Sequence, residues 1–186
     1  MEKKKNVQLI VIAVLAFAVL FMSVGFASYA QRLNINGTVN VTAAKWSVHY
    51  VTTSYAETTG SETASAHNLT DTDATFTVTL PEPGTFYEFT ANVINDGTFD
   101  ANLTAITLSS LTAAQDAYLN YTVYYNGTAY TSSASGLTIP LSHTSPSNTV
   151  PVKVRVEYVQ PAESTDLPAT DQTITLTASF DYSQAA

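Results

Sequence analysis

The sequence of 186 residues carries 15 acidic and 7 basic residues, for a formal charge of −8, and has no cysteine. Its length fits one ordinary domain with a core of its own. The acidic excess argues against nucleic acid as a partner, because phosphate binding needs clustered cations, and without cysteines an exported form has no disulfides to hold it.

In chain order, Lys3, Lys4 and Lys5 come first and an apolar stretch from Leu9 to Phe26 follows. Ser28-Tyr29-Ala30 then sets small residues at the two positions that a signal peptidase reads. This order predicts a secretory signal over residues 1–30, with Ser28, Ala30 and Gln31 marking the cleavage site. The stretch approaches the ~20 residues that span a bilayer, so an uncleaved anchor stays open, although Gly25, Ala27 and Ala30 suit cleavage better. Membrane contact is then expected only through the signal segment before cleavage, and the location is extracellular or at the cell surface. The mature chain would keep Arg32, Lys45, Lys153 and Arg155 as its only Lys or Arg residues.

Directly after the cleavage site, Leu33, Ile35, Val39 and Val41 alternate with polar residues, and Gly37 falls on the apolar side. A period of two predicts a strand with one buried face. Trp46, Val48 and Tyr50 continue the alternation. Residues 52–73 are rich in Thr, Ser, Ala and Asp and read as a long surface loop, with room for a poor edge strand. Phe76, Val78 and Leu80 start a strand that Pro81-Glu82-Pro83-Gly84 breaks. Tyr87, Phe89, Ala91 and Val93 lead into Asn95-Asp96-Gly97, a turn signal, with Phe99, Ala101 and Leu103 beyond it, so residues 85–108 read as a hairpin. Residues 111–118 are the one helix expected beyond the signal, capped by Thr112.

Tyr121, Val123 and Tyr125 run into Asn126-Gly127, a two-residue hairpin turn. Residues 132–148 read as a Ser/Thr-rich connection. Val150, Val152, Val154, Val156 and Tyr158 give the cleanest strand, with Pro151 at its start. A loop spans 160–170, and Ile174, Leu176, Ala178, Phe180 and Tyr182 form the last strand. Eight or nine strands without regular intervening helices predict an all-β fold, a two-sheet jelly-roll-like β-sandwich over residues 31–186 after the N-terminal signal helix.

Catalytic patterns are absent from the sequence. His49, His67 and His143 are far apart in the chain, and there is no His-Glu-x-x-His, Gly-x-Ser-x-Gly or P-loop. Asp71, Asp73 and Asp96 carry oxygens that suit Ca²⁺, but acidic loop residues are more often simply solvated. The expectation is no enzyme, no cofactor and no metal. Leu167-Pro168-Ala169-Thr170-Asp171 has the look of a sorting signal, yet lacks the Gly after Thr and the apolar tail, and reads as a loop. Asn36, Asn40, Asn68, Asn102, Asn120 and Asn126 stand in Asn-x-Ser/Thr triplets, which a Thr-rich chain produces by chance.

The strand at the mature N-terminus has two readings. It is the first strand of its own sandwich, or a donor strand that adds to the next subunit. Burial of Leu33, Ile35, Val39 and Val41 at ~1.5–3 kcal/mol each and ladder hydrogen bonds at ~0.5–1.5 kcal/mol each nearly offset backbone ordering at ~1–2 kcal/mol per residue. An acceptor sandwich with an open edge would decide between them.

Three places resemble the TasA/camelysin-like surface proteins with SipW-type signal peptides, found in Firmicutes. They are Ser23-Val24-Gly25-Phe26-Ala27-Ser28-Tyr29-Ala30 with the alternating strand after it, Pro83-Gly84 through Tyr87, Phe89 and Val93 to Asn95-Asp96-Gly97, and the closing strand with Ile174, Leu176, Phe180 and Tyr182. The resemblance implies a jelly-roll sandwich, export by a dedicated signal peptidase and assembly into biofilm-matrix fibres by donor-strand exchange. The metallopeptidase activity ascribed to some relatives is not carried over, since no zinc-binding pair is present. The leading expectation is a structural fibre subunit that partners itself or related surface subunits, with residues 31–42 as donor. The alternative is a monomeric surface adhesive or binding module, with residues 52–73 and 132–148 as recognition loops.

Overall fold

The computed structural model describes residues 2–28, 38–163 and 166–185. It divides after Thr42 into two units. The first holds α1 (Glu2–Ser28), whose window from Lys3 to Phe21 is long and apolar enough to cross a membrane by length and composition. The second, from Ala43 onward, is an all-β sandwich. The alternation at Val39 and Val41 predicted a strand, but residues 38–47 form none, and the two valines are 84% and 89% exposed. Leu33, Ile35, Ala30 and Gln31 lie outside the described residues, and Ser28 is the last residue of α1.

The strands of the sandwich are β1 (Val48–Tyr50), β2 (Ala56–Glu57), β3 (Ala66–Leu69), β4 (Ala74–Thr77), β5 (Phe86–Asn95), β6 (Ala101–Leu108), β7 (Leu119–Tyr125), β8 (Thr128–Tyr130), β9 (Ala134–Leu141), β10 (Thr149–Tyr158) and β11 (Ala178–Gln184). A six-stranded sheet runs β1-β5-β10-β7-β8, with β2 also on β5. A three-stranded sheet runs β11-β6-β9, and β3-β4 form a small third sheet. The described pairings are antiparallel.

Register places the apolar faces in rows. Tyr87, Val156 and Tyr121 form one row across β5, β10 and β7. Phe89, Val154 and Val123 form the next, then Ala91, Val152 and Tyr125. These residues are buried in one cluster with Leu103, Ile106 and Leu141 from β6 and β9. Period-two alternation is what lets each strand give one face to that core.

Two sequence expectations are corrected here. Residues 85–108 are not a hairpin, because β5 and β6 belong to different sheets. Asn95 is the cause. It is 1% exposed, its Nδ2 donates to the Phe99 and Leu141 carbonyls (3.1 and 3.2 Å), and its Oδ1 accepts from the Gly97 N–H (3.1 Å). That side chain ties the turn to β9, so the chain crosses to the opposite layer instead of folding back. Gly97 is required at this corner, since a Cβ there would lie 2.7 Å from the Lys45 carbonyl oxygen.

The second correction concerns residues 132–148, expected as a connection, which contain β9. Its hydroxyl-rich sequence hides the alternation of Leu137, Ile139 and Leu141, and β6 supplies the pairing. Residues 52–73, read as a surface loop with room for a poor edge strand, carry the short strands β2 and β3. The Asn126-Gly127 hairpin forms as expected, with both residues at positive φ (48° and 81°). The short helix α2 (Ala113–Asp116) has Thr112 as its cap, in a reciprocal capping box with Gln115.

Candidate functional site: two unpaired strand edges

The layer facing the six-stranded sheet is built from two separate pieces. On one side Phe76 of β4 packs on Tyr87 and Phe89 of β5, with ring centroids 5.0 and 5.4 Å apart. On the other, Phe180 and Tyr182 of β11 pack on Tyr125 of β7 at 6.0 and 6.5 Å, and the Tyr182 hydroxyl donates to that of Tyr125 (3.2 Å). β10 separates β5 from β7, so these supports are two strand spacings apart, about 10 Å. One further strand between β4 and β11 would have that width. Among the described residues β4 pairs only with β3 and β11 only with β6.

Both edges are continued by chain that forms no strand. Val78 and Leu80 follow β4, and Ile174 and Leu176 precede β11. In both segments these apolar residues are half-buried against the core, while Thr79 and Thr175 between them are exposed. Each segment thus has one apolar face on the core and a backbone edge with no ladder partner, the condition that makes an edge receptive to another strand. The valines of β10 are already buried, so the opening lies at the backbone edges and does not reach through the core. The sequence marked Ile174 and Leu176 as strand, but nothing local tells which strand lacks a neighbour.

The tyrosines around this core are held neutral. Burial, then the Asp73 charge, pushes the Tyr50 phenol up to about 12, and burial with Tyr50 nearby does the same for Tyr121. Burial also raises Tyr87, Tyr125 and Tyr182. Tyr87 pairs its hydroxyl with that of Tyr55, and both hydroxyls lie within hydrogen-bond reach of Glu57 Oε1 (3.3 and 3.2 Å).

On the opposite face of the six-stranded sheet Glu88 is only 6% exposed. It takes Thr58 Oγ1 at 2.7 Å, Lys153 Nζ at 3.3 Å and Arg155 Nη1 at 3.4 Å. Burial alone would raise this carboxyl, but Thr58, Lys153 and Arg155 together hold it below the usual glutamate range. Alternation could have revealed the clamp, since Glu88 and Arg155 are outward-facing cross-strand partners.

The remaining candidates stay dispersed. His49 and Lys45 face Asp96 at 3.8 and 3.6 Å, His143 pairs with Asp100 at 2.7 Å, and His67 stacks on Tyr55 at 4.0 Å. The Ser47 hydroxyl, with Lys45 and His49, lowers Asp96. The His143 backbone and ring lower Asp100. Asp71 and Asp73 sit at the β3–β4 turn, where Asp73 accepts from Thr72 (2.7 Å), and no group of three His, Cys, Asp or Glu among the described residues is placed to hold a metal. Residues 167–171 lie in a loop.

Comparison of the chain with family models, with curated proteins and with solved structures finds no match.

Proposed function

We propose that this protein is an exported, non-enzymatic structural subunit of a surface or biofilm-matrix fibre. Residues 31–42 of one copy add as a strand between β4 and β11 of the next. The supporting observation is a complementary pair of unmet needs. Among the described residues β4 and β11 each leave one edge unpaired, continued by half-covered Val78, Leu80, Ile174 and Leu176, and Val39 and Val41 stand exposed in a segment of strand-like alternation. Burying Val39 and Val41 alone would return about 1.5–3 kcal/mol each, and the two edges would supply ladder partners on both sides of the donor. The partner is a second copy or a related surface subunit, and signal peptidase acts first to free the donor from the apolar helix.

The test is electron microscopy and sedimentation of three forms: the chain from Gln31, the chain lacking residues 31–42, and Leu176→Arg in the chain from Gln31. Fibres are expected in the first alone, growing with concentration. Monomers in all three at high concentration and across pH refute the reading, and fibres that persist without residues 31–42 refute the donor.

A further inference from the structure

The outward face of the six-stranded sheet carries a cleft away from the edges described above. Its floor is the outward row of β7 (Asn120, Thr122 and Tyr124) beside Arg155 and Glu157 of β10. The connection from β6 to β7 and residues 131–133 wall it, enclosing about 530 Å³. Both walls are fixed. Ser133 Oγ accepts from the Leu108 N–H (2.9 Å) and donates to the Leu108 carbonyl (3.3 Å), and the Thr112–Gln115 capping box sets the turn that presents Asp116. A preformed cleft spares a ligand the entropy of ordering loops.

The chemistry of the lining narrows the ligand. Arg155 is already engaged, with Nε and Nη2 on Glu157 (both 3.3 Å), Nη1 on Glu88 and its plane on the Phe86 ring (3.9 Å). Lys153 lies over the Tyr124 ring at 4.2 Å and pairs with Glu88. Neither of these cations is therefore left unpaired for an anion. The side chains of Asp116, Asn120 and Thr122 and the Tyr124 hydroxyl make no hydrogen bond among the described residues, and Ser110 and Ser132 add further hydroxyls beside them. The free Asp116 carboxylate, the Asn120 amide and several hydroxyls together both donate and accept, beside the engaged Glu157 and the apolar wall of Leu108, Leu111 and Ala113.

We propose that this cleft binds a neutral oligosaccharide of about two or three rings, whose vicinal hydroxyls bridge Asp116 and Asn120. The site is independent of strand exchange, so a fibre subunit could display it along its length.

The test is isothermal titration of the full chain in a zwitterionic, sugar-free detergent. The probes are cellohexaose and chitohexaose, with spermine and tripolyphosphate as charged controls. Saturable binding of at least one hexasaccharide is expected, weakened about tenfold or more in Asp116→Ala and in Asn120→Ala. Both residues are exposed, so both variants should keep the parent melting temperature. No heat from either sugar up to about 10 mM, binding that neither variant changes, or tighter binding of spermine or tripolyphosphate would each overturn the proposal.

Discussion

Replacing Asn95 with leucine tests whether one side chain holds the crossing between the two sheets. The change keeps the approximate size and removes three hydrogen bonds, to the Phe99 and Leu141 carbonyls and from the Gly97 N–H. The Leu141 carbonyl belongs to a residue that is fully buried, so it is stranded at about 1–3 kcal/mol, while the other two groups, nearer solvent, cost about 0.5–1.5 kcal/mol each. The expected loss is about 2–6 kcal/mol, a large share of the ~5–15 kcal/mol typical of a domain. With a mid-range urea dependence of ~2 kcal/mol per molar, the unfolding midpoint should fall by about 1–3 M.

Trp46, the only tryptophan, reports this corner because its ring lies 5.9 Å from Phe99, and circular dichroism reports the strands as a whole. Asn95→Asp keeps the acceptor for Gly97 but points oxygen at two carbonyls. It should lose at least as much at neutral pH and recover toward the parent in acid, where the protonated carboxyl can donate. A midpoint within about 0.3 M of the parent for the leucine variant would refute the assignment of the crossing to Asn95.

Alkaline unfolding should begin near pH 10. The folded state keeps Tyr50 protonated to about 12 while the unfolded phenol ionises at 10.0. That stability is intact below pH 10 and is lost as pH rises toward 12, roughly 2–3 kcal/mol from Tyr50, with Tyr121 adding in the same direction. Tyr50→Phe should flatten the stability curve measured between those limits, and an unchanged slope would count against it. In acid the sign reverses for Glu88. Its lowered folded pKa gives stability that is complete above the unfolded value of about 4.3 and disappears as pH falls through the folded one. Glu88→Gln should cost about 2–4 kcal/mol at pH 7 by leaving Lys153 and Arg155 without their shared carboxylate, and denaturation at pH 7 and pH 3 should show the penalty shrinking in acid.

Along the long strands of the six-stranded sheet, the fold was legible from pattern alone. Tyr87, Phe89, Ala91 and Val93, and likewise Val150 through Val156, alternate without interruption, and both runs are strands buried on the predicted side. Asn126-Gly127 announced its hairpin because two consecutive positive-φ residues leave few other conformations. Asn95-Asp96-Gly97 looked like the same signal. The Asn95 side chain, however, bonds to the Leu141 carbonyl, 46 residues away in sequence, and no local rule registers such a partner.

What the sequence determined by itself was therefore the list of strands with two-fold alternation, the apolar N-terminal segment, and the excess of acid over base. The first two depend on neighbours one to four residues apart, and the third on composition alone. Only the tertiary structure decided that β5 and β6 part company at Asn95, that β9, set in a Ser/Thr-rich stretch, becomes a strand because β6 offers it a ladder, and that Glu88 gathers Lys153 and Arg155 beneath Thr58. It alone shows β4 and β11 resting on strands two spacings apart, each with one edge unpaired among the described residues. Which strand lacks a neighbour is a property of the sheet, because the missing hydrogen bonds belong to whatever chain lies alongside and not to the residues that point into the core.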